Sequence, residues 1–369
     1  MQTLNRFRTS EIRNPKSEIA LPVLPPLARG GQGGSRTRSL ARRARRTGAG
    51  FTLVEMLVVI VIIGVLMGLA VPVFMQSRVR VNEAAVAMEI KGLESAVSAF
   101  KAKYGVEPPS QFRLWLTQAG WNSDPASMAT VRRIWPQFDF SMGGGAGTAY
   151  PWFWASIATT GGGNPVLNMN SGECLMFFLG GVIPAQGPNQ APVGFSKNPS
   201  YPFAPITPTN ASGTPTAGAA ANSNREGPFF EMANIARIKD SDGNGINEWY
   251  DSIPNQTRPY LYFSSYEGGG YRIAELPSGG TLLDVYRVWS PPTSTPNATP
   301  PVPGTATQSL PAQKPQTFQI ISPGYDGDYG YGGVHNDSLP NSGLQRNTAT
   351  GKYPDADNIT NFSGGRLVK

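Results

Sequence analysis

The sequence has little material for the common kinds of catalytic or metal chemistry. It contains a single cysteine, Cys174, and a single histidine, His335. One cysteine excludes an intramolecular disulfide, and zinc sites of His and Cys or a Ser-His-Asp triad have almost no residues to draw on. We interpret Cys174, which lies among apolar residues, as a buried inert thiol, and His335 as a surface residue of a loop.

Net positive charge is confined to the first 50 residues. Residues 1–50 hold eleven Lys/Arg and two Asp/Glu, a net charge of +9, whereas the rest of the chain has a net charge of −2. Phosphate backbones are bound by clustered cations, so we expect no nucleic-acid partner. Under the positive-inside rule, the arginines of this segment indicate a cytoplasmic anchor: Arg36, Arg38, Arg42, Arg43, Arg45 and Arg46.

A long apolar run follows the basic segment. From Phe51 to Phe74 the only charged residue is Glu55, and a membrane-spanning helix needs about 20 apolar residues. We therefore predict a transmembrane helix over residues 51–75, in which the Glu55 carboxylate requires a partner because its burial in lipid is costly. Three further residues of the run bear on helix contact and bending: Gly64, Gly68 and Pro72.

The helical pattern continues beyond the apolar run. Residues 76–106 contain helix-forming residues and an apolar stripe with steps of three and four, which is typical of an amphipathic helix. Gly105 and the Pro108-Pro109 pair are expected to end this helix. The stripe needs a domain to cover it, and its members are Val86, Ile90, Leu93, Val97, Phe100 and Tyr104.

The remaining residues, 107–369, predict a globular domain with long loops, because Gly (43) and Pro (34) are both abundant. The predicted fold class is α+β, with the long helix packed on a small antiparallel β-sheet. A short buried helix is expected from Ser171, as its cap, to Gly180-Gly181. We predict strands at 259–264, 271–274, 283–289 and 317–322, loop insertions at about 183–225 and 291–316, a loop-like tail at 323–369, and core tryptophans at Trp115, Trp121, Trp135, Trp152 and Trp154.

One loop has the ligand spacing of a calcium site. Oxygen-bearing side chains stand at positions 1, 3, 5, 9 and 12 of a twelve-residue stretch, with a glycine at position 6 and a peptide carbonyl available at position 7. The alternative is an Asp/Asn/Gly turn between strands. The predicted ligands are Asp240, Asp242, Asn244, Ile246, Glu248 and Asp251.

A second Gly-rich loop offers another possible calcium site. Its candidate ligands are Ser322, Asp326 and Asp328, with Asp337 further along the chain. A solvated turn is the alternative interpretation, and from the residues alone it is the favoured one.

The junction at Gly50 resembles a known processing signal. Gly50 followed by Phe51-Thr52-Leu53-Val54-Glu55 resembles the class III signal of type IV pilins and type II secretion pseudopilins. The resemblance implies that a prepilin peptidase cuts after Gly50, that Phe51 becomes the N-methylated first residue, and that residues 1–50 are a cleaved leader. Since a leader is usually shorter than this, translation starting downstream of Met1 is an alternative.

The same resemblance implies roles for two residues of the helix. Glu55 becomes the fifth mature residue, which in the family pairs with the amino terminus of a neighbouring subunit and sets the register of assembly. Pro72 stands at the family's twenty-second mature position. Cleavage at Gly50 leaves the apolar helix in place, whereas a secretory signal peptide is cut after its apolar core.

The soluble part resembles pseudopilins of the G type. Residues 255–262 are similar to a turn and strand of that family, and residues 321–327 to its late Gly-Asp loop. Because major pseudopilins carry Ca²⁺ in their C-terminal β region, the resemblance raises calcium as a cofactor at both loops. The chain is longer than a compact major pseudopilin and resembles the long versions in planctomycete-like sequences.

The function implied is structural. The chain is expected to be a non-enzymatic subunit of a type II secretion-like pseudopilus, inserted once in the inner membrane with its C-terminal domain in the periplasm. Its partners would be copies of itself, other pseudopilins, the peptidase and an inner-membrane secretion platform. One alternative is a type IV pilin for adhesion, motility or DNA uptake. The others are a membrane-anchored Ca²⁺-dependent binding protein that does not polymerise, and an anchored hydrolase that uses Asp/Glu pairs.

Overall fold

A computed structural model of the protein describes residues 50–141, 166–183, 191–204, 224–277, 281–295 and 298–368. The chain divides into two units, residues 1–62 and 63–369, and each is described by itself. Most of the predicted leader, part of both predicted loop insertions, and Trp152 and Trp154 lie outside the described residues.

Helix α1 runs from Leu53 to Tyr104 without interruption, and Pro72 lies inside it. The predicted stripe is confirmed, because its first five members are buried and Tyr104 packs partly buried against the core. Gly105 follows the helix with φ of 77° and donates its N–H to the Lys101 carbonyl over 2.8 Å. This left-handed conformation favours glycine, so Gly105 ends the helix as predicted.

The stretch after α1 contains regular elements that the sequence analysis did not predict. These are β1 (Phe112–Trp115), α2 (Gln118–Ser123), α3 (Pro125–Ile134) and β2 (Val166–Met169), with β1 and β2 antiparallel. Thr117 and Asp124 cap the two helices by accepting N–H groups of the first turn. Their tryptophans contribute to the core as predicted, since Trp121 and Trp135 are buried and Trp115 is partly buried.

Helix α4 (Ser171–Gly180) confirms the predicted short helix, and all ten residues are buried. Its cap is Asn170, not Ser171 as predicted. The Asn170 side chain accepts the N–H groups of Gly172 and Glu173, while Glu173 accepts the N–H of Asn170. This reciprocal capping box starts the helix one residue earlier than Ser171 would. The Phe178 ring packs on Phe100 of α1 at 5.8 Å between centroids.

The central sheet is antiparallel, in the order β11 (Ile359–Thr360), β9 (Phe318–Ser322) and β7 (Leu261–Ser264). Alternate residues of these strands face opposite sides. Tyr262 and Ile320 join the core that contains α1 and α4, whereas Leu261 and Ile321 join a second cluster with residues of the C-terminal tail. The sheet is therefore covered on both faces, and the predicted α+β class with a small antiparallel sheet is confirmed.

Three short strand pairs form outside this sheet. Two pairs are antiparallel: β3 (Phe195–Ser196) with β4 (Arg225–Glu226), and β5 (Ile238–Lys239) with β6 (Glu248–Trp249). The third pair, β8 (Tyr286–Arg287) with β10 (Gly333–Val334), is parallel. Single-turn 3₁₀ helices occur at Ile235–Arg237, Ile273–Glu275 and Pro340–Gly343.

Three local predictions for the C-terminal half were wrong. Residues 271–274 are not a strand, because this segment leads into the 3₁₀ helix Ile273–Glu275, where Glu275 accepts bonds from the hydroxyls of Ser110 and Tyr266. The strand predicted at 283–289 shrinks to Tyr286–Arg287. The tail at 323–369 is more than loop, because it supplies β10, β11 and the second cluster that covers the sheet.

The prediction for the single cysteine is confirmed, whereas the prediction for the single histidine is wrong. Cys174 is a buried free thiol, as predicted, and burial raises its pKa. His335 is not a surface residue as predicted, because it is buried next to the rings of Tyr286 and Phe362. The glycines before His335 suggest an exposed loop, but they form β10, which pairs with β8.

Candidate processing and assembly site

The predicted cleavage point is open on the chain itself. Gly50 is exposed, and a Cβ placed on it would meet no heavy atom within 4 Å. The Phe51 side chain is 70% exposed. Helix α1 begins at Leu53, so the peptide bond after Gly50 lies in non-helical backbone where an enzyme can bind an extended segment.

Glu55 has a partner within its own chain. Its carboxylate accepts the N–H of Thr52 over 2.8 Å and the Thr52 hydroxyl over 2.9 Å, and that hydroxyl accepts the N–H of Glu55 over 3.2 Å. These bonds form a capping box at the start of α1. The capping role of Thr52 was not predicted, although the Thr-x-x-Glu spacing was the available signal.

The first half of α1 is apolar and uncovered. It is the one helix in the described part of the chain that is long and apolar enough to cross a membrane. Apolar side chains from Leu53 to Met75 are exposed. Cβ atoms placed on Gly64 and Gly68 would meet nothing within 4 Å, so the small-residue face is free for another helix. Pro72 is also exposed on this stretch.

The second half of α1 is fixed to the domain through Glu89. Its carboxylate lies 2.6 Å from Nη2 of Arg237, and it accepts bonds from Trp249 Nε1 at 2.9 Å and the Tyr260 hydroxyl at 2.8 Å. The Arg237 guanidinium also lies over the Trp249 ring, 4.3 Å from its centroid. Glu89 is thus a largely buried charge whose partners lie in or next to the strands β5, β6 and β7.

The C-terminal tail also binds α1. Asn361 donates to the Glu94 carboxylate over 3.0 Å, and Arg366 pairs with Glu83 at 3.0 Å. Residues 361 and 366 therefore fix the segment of α1 from Glu83 to Glu94 to the tail.

In the first predicted calcium loop, the carboxylates bind the loop's own backbone. Asp240 accepts the N–H groups of Gly243 and Gly245 over 2.8 and 2.9 Å. Asp242 accepts the N–H and side-chain amide of Asn244, and the Asn244 side-chain oxygen accepts the N–H of Ile246. The loop is closely wound, as its Asp/Asn/Gly composition predicts.

Two glutamates flank this loop. Glu248 accepts the N–H of Ser241 over 2.9 Å and the Asn170 amide over 3.2 Å. Glu173 of α4 accepts the Asn244 amide over 2.6 Å, a contact that the sequence analysis did not foresee because 71 positions separate the two residues. Burial, with smaller contributions from the charges of Asp242 and Glu248, raises the pKa of Glu173 to about 9.

Asp251 binds elsewhere. Its carboxylate accepts bonds from the Ser322 hydroxyl at 2.5 Å, from Gln256 Nε2 at 2.9 Å and from the N–H of Ile253 at 2.9 Å. The structure therefore brings together Asp251 and Ser322, which the sequence analysis assigned to different loops.

In the second predicted loop, Asp326 and Asp328 lie together. Asp326 accepts the N–H of Asp328 over 2.8 Å, and Asp328 accepts the Thr281 hydroxyl over 2.8 Å. Burial and the charges of Asp357 and Asp328 raise the pKa of Asp326 to about 6. The oxygen donors of both loops are of the kind that Ca²⁺ prefers. Within the described residues, however, no group of three or more His, Cys, Asp or Glu side chains is arranged to hold a metal.

The start of the chain matches a known family model. Residues 45–71 match the model described as the prokaryotic N-terminal methylation motif. No curated protein and no solved structure matches the chain. The motif includes Gly50, Phe51 and Glu55, and it supports a type IV pilin or pseudopilin precursor that a prepilin peptidase processes. The motif and the apolar helix that follows it fit a membrane-anchored structural subunit that polymerises with similar subunits.

Proposed function

We propose that this chain is a structural subunit of a type II secretion-like pseudopilus, of the G type in a long form. It is cut after Gly50, methylated at Phe51 and polymerised through α1 into a periplasmic fibre. Its partners are other pseudopilins and an inner-membrane secretion platform. The observation that carries the proposal is the methylation motif at residues 45–71, joined to an apolar helix that is uncovered along its first half.

The outer face of α1 supports polymerisation. Beyond the apolar run, Val81 and Met88 remain 64% and 68% exposed on the side of the helix away from the buried stripe. They lie seven residues apart and so share one face. Burial of such side chains against a neighbouring subunit would remove apolar surface from water, which favours association.

Mass spectrometry of the protein extracted from membranes tests the proposal directly. We expect an amino-terminal peptide that starts at Phe51 and carries one methyl group. An intact leader would contradict processing, and it would favour a membrane-anchored binding protein that does not polymerise.

The charge of Glu55 can be separated from its role in the helix cap. Replacing Glu55 by Gln keeps a side chain that can accept the Thr52 N–H, whereas replacing it by Ala removes the cap as well. If the charge pairs with the amino terminus of a neighbouring subunit, both variants should be processed normally and lose most filament assembly. Filaments are counted by electron microscopy. Normal filaments from Glu55→Gln would show that the capping bonds alone matter.

Calcium is proposed as a cofactor of the Asp/Gly loops. The support is the oxygen donor set at Asp242, Asn244 and Glu248, with Glu173 brought next to it by α4. A bound cation would offset the repulsion that the charges of Asp242 and Glu248 exert on the buried Glu173.

Calcium should therefore raise the melting temperature of the detergent-solubilised protein by several degrees. Asp242→Ala should abolish this rise. The control variant Glu231→Ala, at an exposed residue outside both loops, should show the same rise as the unaltered protein. Scanning calorimetry with Ca²⁺ or with a chelator measures the difference. An equal melting temperature in both conditions would remove calcium from the proposed function.

A type IV pilin subunit is the second candidate, since the same motif supports it. Deletion of the gene separates the two. If enzymes that are normally secreted remain inside the cells of the deletion strain, the pseudopilus is favoured. If secretion is normal but surface adhesion or motility is lost, the pilus is favoured.

A further inference from the structure

A loop of the domain touches α1 just after the apolar run ends. The Tyr325 hydroxyl donates to the carbonyl of Val79 over 3.1 Å, and the Tyr325 side chain is 39% exposed. Val79 lies four residues after Met75, the last residue of the exposed apolar stretch. At a rise of 1.5 Å per residue this is about 6 Å along the helix.

Two arginines flank this contact. Arg78 and Arg80 are exposed, and each is rotated about 100° around the helix from Val79. Neither takes part in the ion pairs formed among the residues that the structure describes. The Arg78 guanidinium lies over the Phe74 ring, 5.6 Å from its centre, so this charged group stands beside the last turn of the apolar run.

We propose that this end of the domain rests on the membrane surface, with Arg78 and Arg80 bound to the phosphates of anionic phospholipids and Tyr325 at headgroup level. The inference rests on membrane insertion of α1 in the proposed function. Tyrosine is enriched at the membrane–water interface, and basic residues next to a membrane helix attract anionic lipids.

The position of Arg78 and Arg80 next to the apolar run favours lipid as their partner. Only Gln76 and Ser77 separate the apolar run from Arg78, so insertion of the run brings the two arginines to the phosphates. The loop's own exposed carboxylate, Asp326, would repel a phosphate, so the binding cations are those of the helix. Nearby, Glu83 is already paired with Arg366 at 3.0 Å.

Spin labels on single introduced cysteines test the placement in vesicles of phosphatidylglycerol and phosphatidylcholine that contain a Ni²⁺-chelating lipid. The native thiol does not interfere, because Cys174 is fully buried. Labels go on Asp326→Cys in the loop, on Val71→Cys in the apolar run, and on Ala129→Cys in α3. The last is a distant control, since Trp135 at the end of α3 packs on Tyr104, about 37 Å along α1 from Val79.

The label at position 326 should show a several-fold larger relaxation enhancement by headgroup Ni²⁺ than the label at 129, and the label at 71 should lie in lipid. Equal enhancement at 326 and 129, with position 71 in lipid, would overturn the inference alone. A water-exposed label at 71 would overturn membrane insertion and the inference together.

The phosphate contact has its own test. The label at 326 should be less mobile in vesicles with phosphatidylglycerol than in phosphatidylcholine alone, and the double variant Arg78→Gln, Arg80→Gln should abolish this difference. A loop whose mobility is the same in both vesicles with the arginines present would exclude binding to anionic phosphates.

Discussion

Replacing Gly50 by valine is expected to abolish removal of the leader. The fold offers no steric reason for glycine here, because a Cβ at Gly50 meets nothing within 4 Å. The methylation motif nevertheless spans this position. A side chain next to the scissile bond would therefore act on the peptidase, which must accommodate the residue that precedes the cut.

An immunoblot after co-expression with a prepilin peptidase measures the effect. The unaltered chain should give the shortened product, whereas Gly50→Val should remain at full length and form no filaments. Gly64→Val is the matched control, because its Cβ also meets nothing within 4 Å but it lies inside the helix. Equal processing of all three chains would refute cleavage after Gly50.

Replacing Glu89 by alanine should cause the largest loss of stability. The carboxylate is 12% exposed and its partner Arg237 is 19% exposed, so both charges are largely removed from water. Loss of one member leaves the other buried without a counter-charge, which costs about 3–5 kcal/mol. The variant also leaves Trp249 Nε1 and the Tyr260 hydroxyl without their acceptor.

Urea unfolding followed by tryptophan fluorescence measures this change. Glu94→Ala provides a control on the same helix, because Glu94 is 28% exposed. It would lose the bond from Asn361 and the contact at 3.6 Å with Lys314, which is 40% exposed. Such a partly exposed ion pair contributes about 1 kcal/mol or less. If the loss for Glu89→Ala were no larger than for Glu94→Ala, the carboxylate would not be the principal link between helix and sheet.

Features that depend on local sequence were predictable. The stripe from Val86 to Tyr104, the stop at Gly105 and the match around Gly50 each depend on residues within a few turns of helix or one short motif. The strands at 259–264 and 317–322 were also predictable, since aromatic and β-branched residues stand in runs. In these segments local preference and the final fold agree.

Features that depend on distant partners were not predictable. Asp251 has the spacing of a calcium ligand, yet its carboxylate binds Ser322, 71 positions away. The segment that starts at Tyr271 has the composition of a strand, but it forms a 3₁₀ helix in which Glu275 accepts a hydrogen bond from Ser110, 165 positions earlier in the chain. In the same way, the tail after residue 323 reads as loop because its few apolar residues form a cluster only against the finished sheet.

The binding of the tail to α1 has a consequence for biosynthesis. The helix is made first, but Glu94 and Glu83 gain their partners only when Asn361 and Arg366 have been synthesised. Strand β11, which completes the sheet, is added equally late. Contacts of such long sequence separation form slowly. Translation that stops before residue 359 should thus leave a ribosome-bound chain whose helix is anchored but whose domain is unfinished and sensitive to proteases.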